Sequence, residues 1–359
     1  MSIDSQRVVL EQWGWSESRE EHFQANLEAS FQPGRVISQQ RDRWTIQTET
    51  GPVDAIIPQG SEFPGYPTVG DWVGLQTTES TGPRLIGHIL PRKSKFSRRA
   101  AGPRQDEQVV AANVDTVWIV HGLDLPPNLR RLERYLAMTW ESGSQPEIIL
   151  TKADIANNLK DAISGVHEIA YGVPVRVTSS VHEGGLESLE DALKPRTTIA
   201  LLGPSGVGKS TLINHLGAAE LLKTAEVRSG DRKGRHTTAR REIIRLPGGA
   251  LMLDTPGMRE LQVWDLDEGL QHAFPEIQEL ATRCRFRDCT HTTEPECAVL
   301  TSVQNGDLSA ARLGSFQKLR KESDYREKRT DPLAMAAVKR EWKTIMKSIK
   351  HHPKYRDKR

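Results

Sequence analysis

The chain carries a glycine-rich segment whose residue types and spacing suit the binding of phosphate groups. Residues 203–210 read Gly-Pro-Ser-Gly-Val-Gly-Lys-Ser and follow the apolar run 198–202. Where a buried strand turns into a helix, backbone N–H groups converge on phosphate oxygens, and glycines allow the close approach. Lys209 would reach the terminal phosphates, and the Ser210 hydroxyl would bind Mg²⁺. We therefore predict a nucleoside-triphosphate site rather than a glycine-rich turn that matches by chance.

A second motif, Thr151-Lys-Ala-Asp154, follows another strand-like run, residues 147–150. The Asp154 carboxylate can accept hydrogen bonds from both N1–H and the N2 amino group of guanine. Adenine lacks that donor pair, so ATP would leave the carboxylate unpaired at a cost of about 1–3 kcal/mol or more. Lys152 would lay its aliphatic stem along the base. This motif predicts a preference for guanine nucleotides.

Three more segments stand beside strand-like runs and complete the predicted site. Thr178 to Ser180 would offer a backbone N–H to the guanine O6, and residues 254–257, Asp-Thr-Pro-Gly, would hold the Mg²⁺ shell and contact the γ-phosphate. The polar, glycine-rich segment 228–238 precedes a further strand. The alternation of strands and helices predicts a mostly parallel sheet with helices on both faces. Ligands bind at the carboxyl ends of such strands, so these segments can converge on one nucleotide.

All three cysteines lie together near one histidine, as Cys284, Cys289, His291 and Cys297. Three thiolates and one imidazole at this spacing are typical of a closed tetrahedral Zn²⁺ site. Four protein ligands leave no position for water, so we predict a structural zinc ion, one per chain. The alternative is three free thiols that are close by coincidence.

The composition is that of a water-soluble globular protein, with 36% hydrophobic and 27% charged residues in 359. No apolar run is long enough to span a bilayer, and the first 21 residues lack a signal-peptide pattern, so we expect a cytoplasmic protein without membrane contacts, acting as a monomer. The length predicts two or three domains. The predicted divisions are an N-terminal leader (1–32), a small β-barrel of the oligonucleotide-binding (OB) type (33–98), an α/β P-loop domain (99–270) and a zinc-binding domain with a basic helical tail (271–359).

The barrel prediction depends on five short β-prone runs separated by turn residues. These runs are 35–37, 44–47, 53–57, 71–75 and 85–90. The leader contains Trp13, Trp15 and Phe23, which can dock on a neighbouring element that the sequence does not identify.

Basic segments suggest a polyanionic partner. Residues 312–359 hold 16 Lys and Arg against 6 Asp and Glu, a net charge of +10, whereas residues 1–311 carry a net charge of −8. Amphipathic helices in this tail would suit an RNA backbone, although a merely solvated charged helix remains the alternative. The basic segment 91–99 likewise has two interpretations, an exposed linker or a nucleic-acid contact.

These motifs, in this order, resemble a known family. The base-reading motif precedes the phosphate loop, which is the reverse of the order in small GTPases. Together with residues 234–238 (Gly-Arg-His-Thr-Thr), the barrel and the Cys/His cluster, residues 33–320 resemble the RsgA/YjeQ family of circularly permuted GTPases that depend on the small ribosomal subunit. The resemblance implies a GTP-hydrolysing switch that binds this subunit and its rRNA and assists its late maturation.

Two residues depart from the patterns of related GTPases. Thr151 stands where the family usually has Asn, so it has no amide for guanine N7 but can still hydrogen-bond towards the phosphate loop. Met258 stands where Ras-like enzymes have a water-orienting Gln, and the family likewise has an apolar residue there. The resemblance makes His236 the candidate to orient water, and the alternative is a histidine that contacts RNA or nothing.

The sequence therefore predicts a GTPase that converts GTP to GDP and phosphate, is stimulated by the small subunit and uses Mg²⁺. The alternatives are an RNA-binding scaffold with a weak nucleotide site and an ATP-using P-loop enzyme. The predicted nucleotide-binding residues are Thr151, Lys152, Ala153, Asp154, Thr178, Ser179, Ser180, Gly203, Pro204, Ser205, Gly206, Val207, Gly208, Lys209, Ser210, Thr211, Asp254 and Gly257, with Ser210, Thr237, Thr238 and Asp254 at Mg²⁺ and His236 as the catalytic residue.

Overall fold

The computed structural model describes most of the chain. The described residues are 7–58, 65–77, 82–99, 107–181, 184–217, 241–254 and 266–330. Four predicted site residues, His236, Thr237, Thr238 and Gly257, lie outside the described residues, as do residues 331–359 of the predicted basic tail.

The N-terminal β-barrel is confirmed. All five predicted strands are present, and β4 pairs back onto β1, which closes the sheet into a barrel in the order β1-β2-β3-β5-β4. Apolar side chains such as Val36, Trp44 and Ile46 fill its interior. The strands are β1 (Phe31–Gln40), β2 (Arg43–Thr48), β3 (Gly51–Ile56), β4 (Trp72–Gln76) and β5 (Arg84–Ile89).

Two leader helices, α1 (Val8–Gln12) and α2 (Glu17–Asn26), pack against this barrel. The Trp15 ring lies edge-on to Trp72 of β4, with their centroids 4.8 Å apart, and Phe23 packs against Trp15 at 6.1 Å. The structure therefore identifies the docking partner that the sequence left open: the aromatic residues of the leader cover one end of the barrel.

The basic segment at 91–99 is not a linker over its whole length, because its second half forms a strand. β6 (Lys95–Arg99) pairs with β7 (Glu107–Ala112) in a two-stranded antiparallel ribbon. Lys95 and Glu107 form an ion pair across the ribbon, with 2.9 Å between Nζ and Oε1. Regular pairing was not predicted here because the basic residues hide the β-pattern.

The predicted parallel sheet is confirmed. β10, β9, β8, β11 and β13 are neighbours in that order and run parallel, so their carboxyl ends meet at one edge. Apolar clusters pack on both faces of the sheet. The elements are β8 (Thr116–Gly122), α3 (Leu129–Glu141), β9 (Gln145–Thr151), α4 (Leu159–His167), β10 (Val175–Val177), β11 (Thr198–Leu202), α5 (Lys209–His215), β12 (Arg241–Arg245) and β13 (Leu251–Asp254).

The barrel and the parallel sheet form one continuous eleven-stranded sheet. β12 is antiparallel to both neighbours and joins β13 to β1, where Ser38 pairs with Glu242. Arg35 reinforces this junction: it is 2% exposed and donates from Nη2 to the Thr198 hydroxyl at 2.8 Å and to the Asn113 carbonyl at 3.2 Å. A barrel strand is therefore hydrogen-bonded to the start of the strand that leads into the phosphate loop.

The C-terminal segment is helical and packs on α3. Its helices are α6 (Asp267–Ala273), α7 (Pro275–Ala281), α8 (Ala298–Asn305) and α9 (Ala310–Thr330). The buried Arg312 of α9 bridges Glu133 of α3 at 2.8 Å and Glu276 of α7 at 2.6 Å. Leu313, Phe316 and Leu319 of α9 are buried, so the start of the predicted basic tail is a helix with an apolar face, as expected. Among the described helices, none has the length and apolarity needed to cross a membrane.

Candidate nucleotide site and Cys/His cluster

The phosphate loop lies between β11 and α5, as the motif predicts. Gly203 must lack a side chain, because a Cβ atom there would lie 2.4 Å from the Val120 carbonyl oxygen of β8. Gly208, immediately before α5, has a φ of 99°, which few other residues adopt. The loop therefore turns tightly against β8 and leads directly into α5, whose first N–H groups have no partner within the helix.

Lys209 lies inside this loop. Its side chain is 7% exposed, and Nζ donates to the Gly203 carbonyl at 2.6 Å and also to the Pro204 carbonyl. Ser210 and Thr211 are exposed at the start of the helix. The ammonium group is thus held by two carbonyl groups of the phosphate loop, and Ser210 follows Lys209 in the first turn of α5.

Thr151 connects the base-reading motif to the phosphate loop. It ends β9, is 5% exposed and donates from Oγ1 to the Val207 carbonyl at 2.5 Å. The hydrogen bond towards the phosphate loop that a Thr at this position can make is therefore present, and it joins residues 56 apart in sequence. Two motifs that are distant in sequence become one site.

Asp154 and the 178–180 segment lie side by side after β9 and β10. The Ser179 hydroxyl donates to Asp154 Oδ1 at 2.6 Å, and the Thr178 carbonyl accepts from the Ala153 N–H at 3.2 Å. The Thr178 and Ser179 N–H groups already donate to the Leu150 and Gly185 carbonyls. This leaves the Ser180 N–H as our candidate for guanine O6, beside a carboxylate that a serine hydroxyl orients.

Sequence reasoning missed Asp124, which holds the lysine of the base-reading motif. Lys152 Nζ lies 2.9 Å from Asp124 Oδ2, and the Lys152 stem runs over Gly122, where an added Cβ would lie 3.4 Å from Lys152 Cδ. The lysine therefore forms an ion pair with the loop after β8 that is partly exposed to solvent. The sequence could have indicated Asp124 through its position just after the strand-like run of β8, since this strand ends at the same edge of the sheet.

The hydrogen bond from Thr151 can be tested directly. We expect Thr151→Val to lower GTP affinity about tenfold, because losing a buried hydrogen bond costs about 1–3 kcal/mol and here it joins the two halves of the site. Equilibrium titration with a fluorescent guanine nucleotide measures the change. Thr139→Val is the control, since that buried hydroxyl donates to the Tyr135 carbonyl within α3 at 2.8 Å. Equal affinity in both variants would contradict the prediction.

The four residues of the Cys/His cluster converge as predicted. All four candidate ligand atoms lie within 4.8 Å of one another. Cys284 Sγ lies 3.8 Å from Cys297 Sγ and 3.7 Å from His291 Nδ1, and His291 Nδ1 lies 3.4 Å from Cys297 Sγ. A tetrahedral ion with metal–sulfur bonds of about 2.3 Å separates its sulfur ligands by about 3.8 Å. The cluster could therefore hold a metal ion, and its shape fits a tetrahedral one.

The surroundings of the cluster act on two of its candidate ligands in opposite ways. Burial, and then the positive charge of Arg320, lower the pKa of His291, so the imidazole stays neutral as a metal ligand must. Burial, and then the nearby sulfur atoms, raise the pKa of Cys289 to about 11. A bound cation would offset this cost by stabilising the thiolate.

Known proteins resemble this chain along nearly its whole length. The family model described as RsgA GTPase matches residues 89–264. A Listeria innocua protein named small ribosomal subunit biogenesis GTPase RsgA 1 is 40% identical over 356 residues, covering 98% of this chain and all of the relative. The solved structure of YloQ, described as a circularly permuted GTPase, has a TM-score of 0.61 at 26% identity and covers 84% of this chain and 98% of its own.

A second solved structure agrees with the first. YjeQ from Thermotoga maritima has a TM-score of 0.60 at 26% identity, and the match covers 81% of this chain and 98% of that one. In this chain, too, the base-reading motif after β9 precedes the phosphate loop after β11 while both lie at one edge of the sheet. The order of motifs, the barrel, the sheet and the similarity over almost the full length agree: the chain belongs to the RsgA family of circularly permuted GTPases.

Proposed function

We propose that this protein binds and hydrolyses GTP to GDP and phosphate and uses this cycle to assist the maturation of the small ribosomal subunit. The observation that supports GTP use most directly is the Thr151 hydrogen bond to Val207, because it joins a guanine-reading motif to a phosphate loop. The subunit as partner is supported by the printed name of the Listeria innocua relative. An ATP-using enzyme would have no use for Asp154 beside the base.

Within this proposal each part of the site has a role. Asp154 accepts from the guanine base, Lys152 stacks along it, and the phosphate-loop N–H groups and Lys209 hold the phosphates. Ser210, Asp254 and either Thr237 or Thr238 would hold Mg²⁺, which neutralises charge that develops on the phosphates. The Gly257 N–H contacts the γ-phosphate.

The same proposal assigns zinc to Cys284, Cys289, His291 and Cys297. The donor set supports this choice, because three thiolates and an imidazole in tetrahedral array favour Zn²⁺ over Mg²⁺ or Ca²⁺. Such an ion cross-links the loop between α7 and α8, and its role is structural.

The decisive experiment compares GTP hydrolysis with and without purified small subunits, with ATP in parallel. We expect hydrolysis that is specific for GTP, slow for the protein alone and strongly stimulated by subunits, because Met258 offers no group that orients water. Stimulation by large subunits of the same amount, or turnover of ATP at the same rate, would contradict the proposal.

His236 is the residue that we propose orients the attacking water once the subunit is bound. His236→Ala is expected to lower the stimulated rate about 100-fold or more, since correct positioning of the water lowers the activation barrier by several kcal/mol. GTP affinity and the basal rate should stay nearly unchanged. Single-turnover hydrolysis with saturating subunits measures this. Equal stimulation of variant and wild type would assign the water to another group, most simply one from the ribosome.

A further inference from the structure

A cavity of about 320 Å³ lies between α6, α7, α9 and the loop that carries the cysteines, and Cys289 and His291 of the Cys/His cluster form part of its lining. Its lining also includes Phe316, which is buried, and Phe286, which is 41% exposed. The volume is at the lower end of the range for pockets that hold small molecules, about 300–1,000 Å³. The cavity is therefore large enough for a single nucleotide but not for a duplex.

Phe286 has a guanidinium group on one face of its ring. The Arg285 guanidinium lies over its ring, 5.6 Å from the centroid, and Arg285 is itself paired with Glu296 at 2.5 Å. Phe286 lines the cavity whereas Arg285 does not. A large aromatic ring that is exposed at the edge of the cavity is a surface on which a base can stack.

The polar residues of the cavity suit the rest of a nucleotide. The guanidinium groups of Arg287 and Arg320 can bind phosphate oxygens, and the side-chain amides of Gln271 and Gln278 can donate to and accept from a base edge. Asp267 also lines the cavity. The Asp267 carboxylate would repel a polyanion that has no bases, but it can accept a hydrogen bond from the amino group of a base.

We propose that this cavity binds one unstacked nucleotide of a single-stranded RNA segment, with the base on Phe286 and the phosphate on Arg287 and Arg320. Recognition of this kind depends on single-stranded RNA, whose bases are free to stack on aromatic side chains. The inference rests on the proposed function, because the small ribosomal subunit would supply the RNA.

The test is binding of full-length protein to fluorescent eight-nucleotide RNAs, single-stranded and duplex, measured by anisotropy at fixed salt. Phe286→Ala is expected to weaken single-strand binding about tenfold, and Phe286→Trp to retain it, because stacking is lost in the first and kept in the second. Arg287→Gln is expected to weaken binding and to reduce the slope of log affinity against log salt by about one.

Two variants act as internal checks. Arg283→Gln removes the same charge from the same loop, but Arg283 pairs with Glu279 at 2.6 Å and does not line the cavity, so binding should change less than twofold. Arg320→Gln alters the cavity from α9, outside the cysteine loop; because the Arg320 charge also acts on His291, the comparison requires a variant that keeps its metal. Metal analysis of each variant accompanies the titrations.

Unchanged RNA affinity in both Phe286→Ala and Arg320→Gln would overturn the proposal. Duplex binding as tight as single-strand binding would overturn it as well, and so would equal competition by inorganic polyphosphate or an acidic peptide. If the variants lose RNA binding but subunits do not stimulate GTP hydrolysis by the wild type, the proposed function fails and the cavity assignment stands. If subunits stimulate hydrolysis and the variants bind RNA normally, only the cavity assignment fails.

Discussion

Asp154→Asn is expected to lower GTP affinity by about 100-fold or more and to shift preference towards xanthosine triphosphate. The carboxylate accepts from two donors on guanine, whereas an asparagine turns an NH₂ group towards the N2 amino group and leaves donors facing each other. Asp154 is exposed in this structure, so a bound base would bury it, and a mismatched base would then leave buried polar groups unpaired. Xanthine has an oxygen in place of the N2 amino group and accepts from the new amide.

The structure sharpens this prediction, because the Ser179 hydroxyl already donates to Asp154 Oδ1 at 2.6 Å and fixes the orientation of the side chain. Competition titrations with GTP, XTP and ATP measure the shift. Asp191→Asn is the matched control, because it removes the same charge from an exposed position in the 3₁₀ helix Glu187–Ala192. A variant that keeps the full preference for GTP would show that Asp154 does not read the base.

Cys289→Ala is expected to release the metal ion and to destabilise the C-terminal helices. Structural zinc sites have apparent binding free energies of about 10–16 kcal/mol, so losing one ligand removes a major support of the fold. Cys289 and Cys297 belong to the same apolar cluster as Val117 and Ile119 of β8. The destabilisation is expected in the C-terminal third of the chain, which packs on this cluster.

Nucleotide binding should change little in this variant. Val207 and Leu212, which support the phosphate loop, pack in a separate apolar cluster on the other face of the sheet. Metal analysis, thermal unfolding and guanine-nucleotide titration measure the three expectations, and Asp288→Asn, an exposed neighbour outside the ligand set, is the control. One equivalent of zinc in the wild type and none in the variant is the expected result. Wild-type protein without zinc would contradict the metal assignment.

The local parts of the nucleotide site could be predicted from the sequence because their geometry depends on near neighbours in the chain. Glycines at 203 and 208 define a turn into a helix, and the apolar runs before them define strands. The four residues of the Cys/His cluster lie within fourteen positions, so their convergence needs only one loop. The five barrel strands were also visible, because turn residues separate them.

Contacts between residues that are far apart in sequence were decided only by the tertiary structure. Arg35 shows no pattern in the sequence, yet it is fully buried, where burial, and then the charge of Arg19, lower its pKa to about 9, and it binds Thr198, 163 positions away. Asp124 became a site residue only because β8 ends beside β9. Packing and strand pairing set these contacts, and neither has a local sequence signature.

The sequence by itself predicted the chemistry of the protein: a phosphate loop, a carboxylate that would read guanine, and a set of four candidate metal ligands. The tertiary structure decided how these parts are joined. β12 links the barrel to the parallel sheet, and Arg312 links the C-terminal helices to α3. The physical reason is that motif chemistry depends on residue type and spacing along the chain. The contacts that join the parts depend instead on which buried surfaces and strand edges meet in the folded protein.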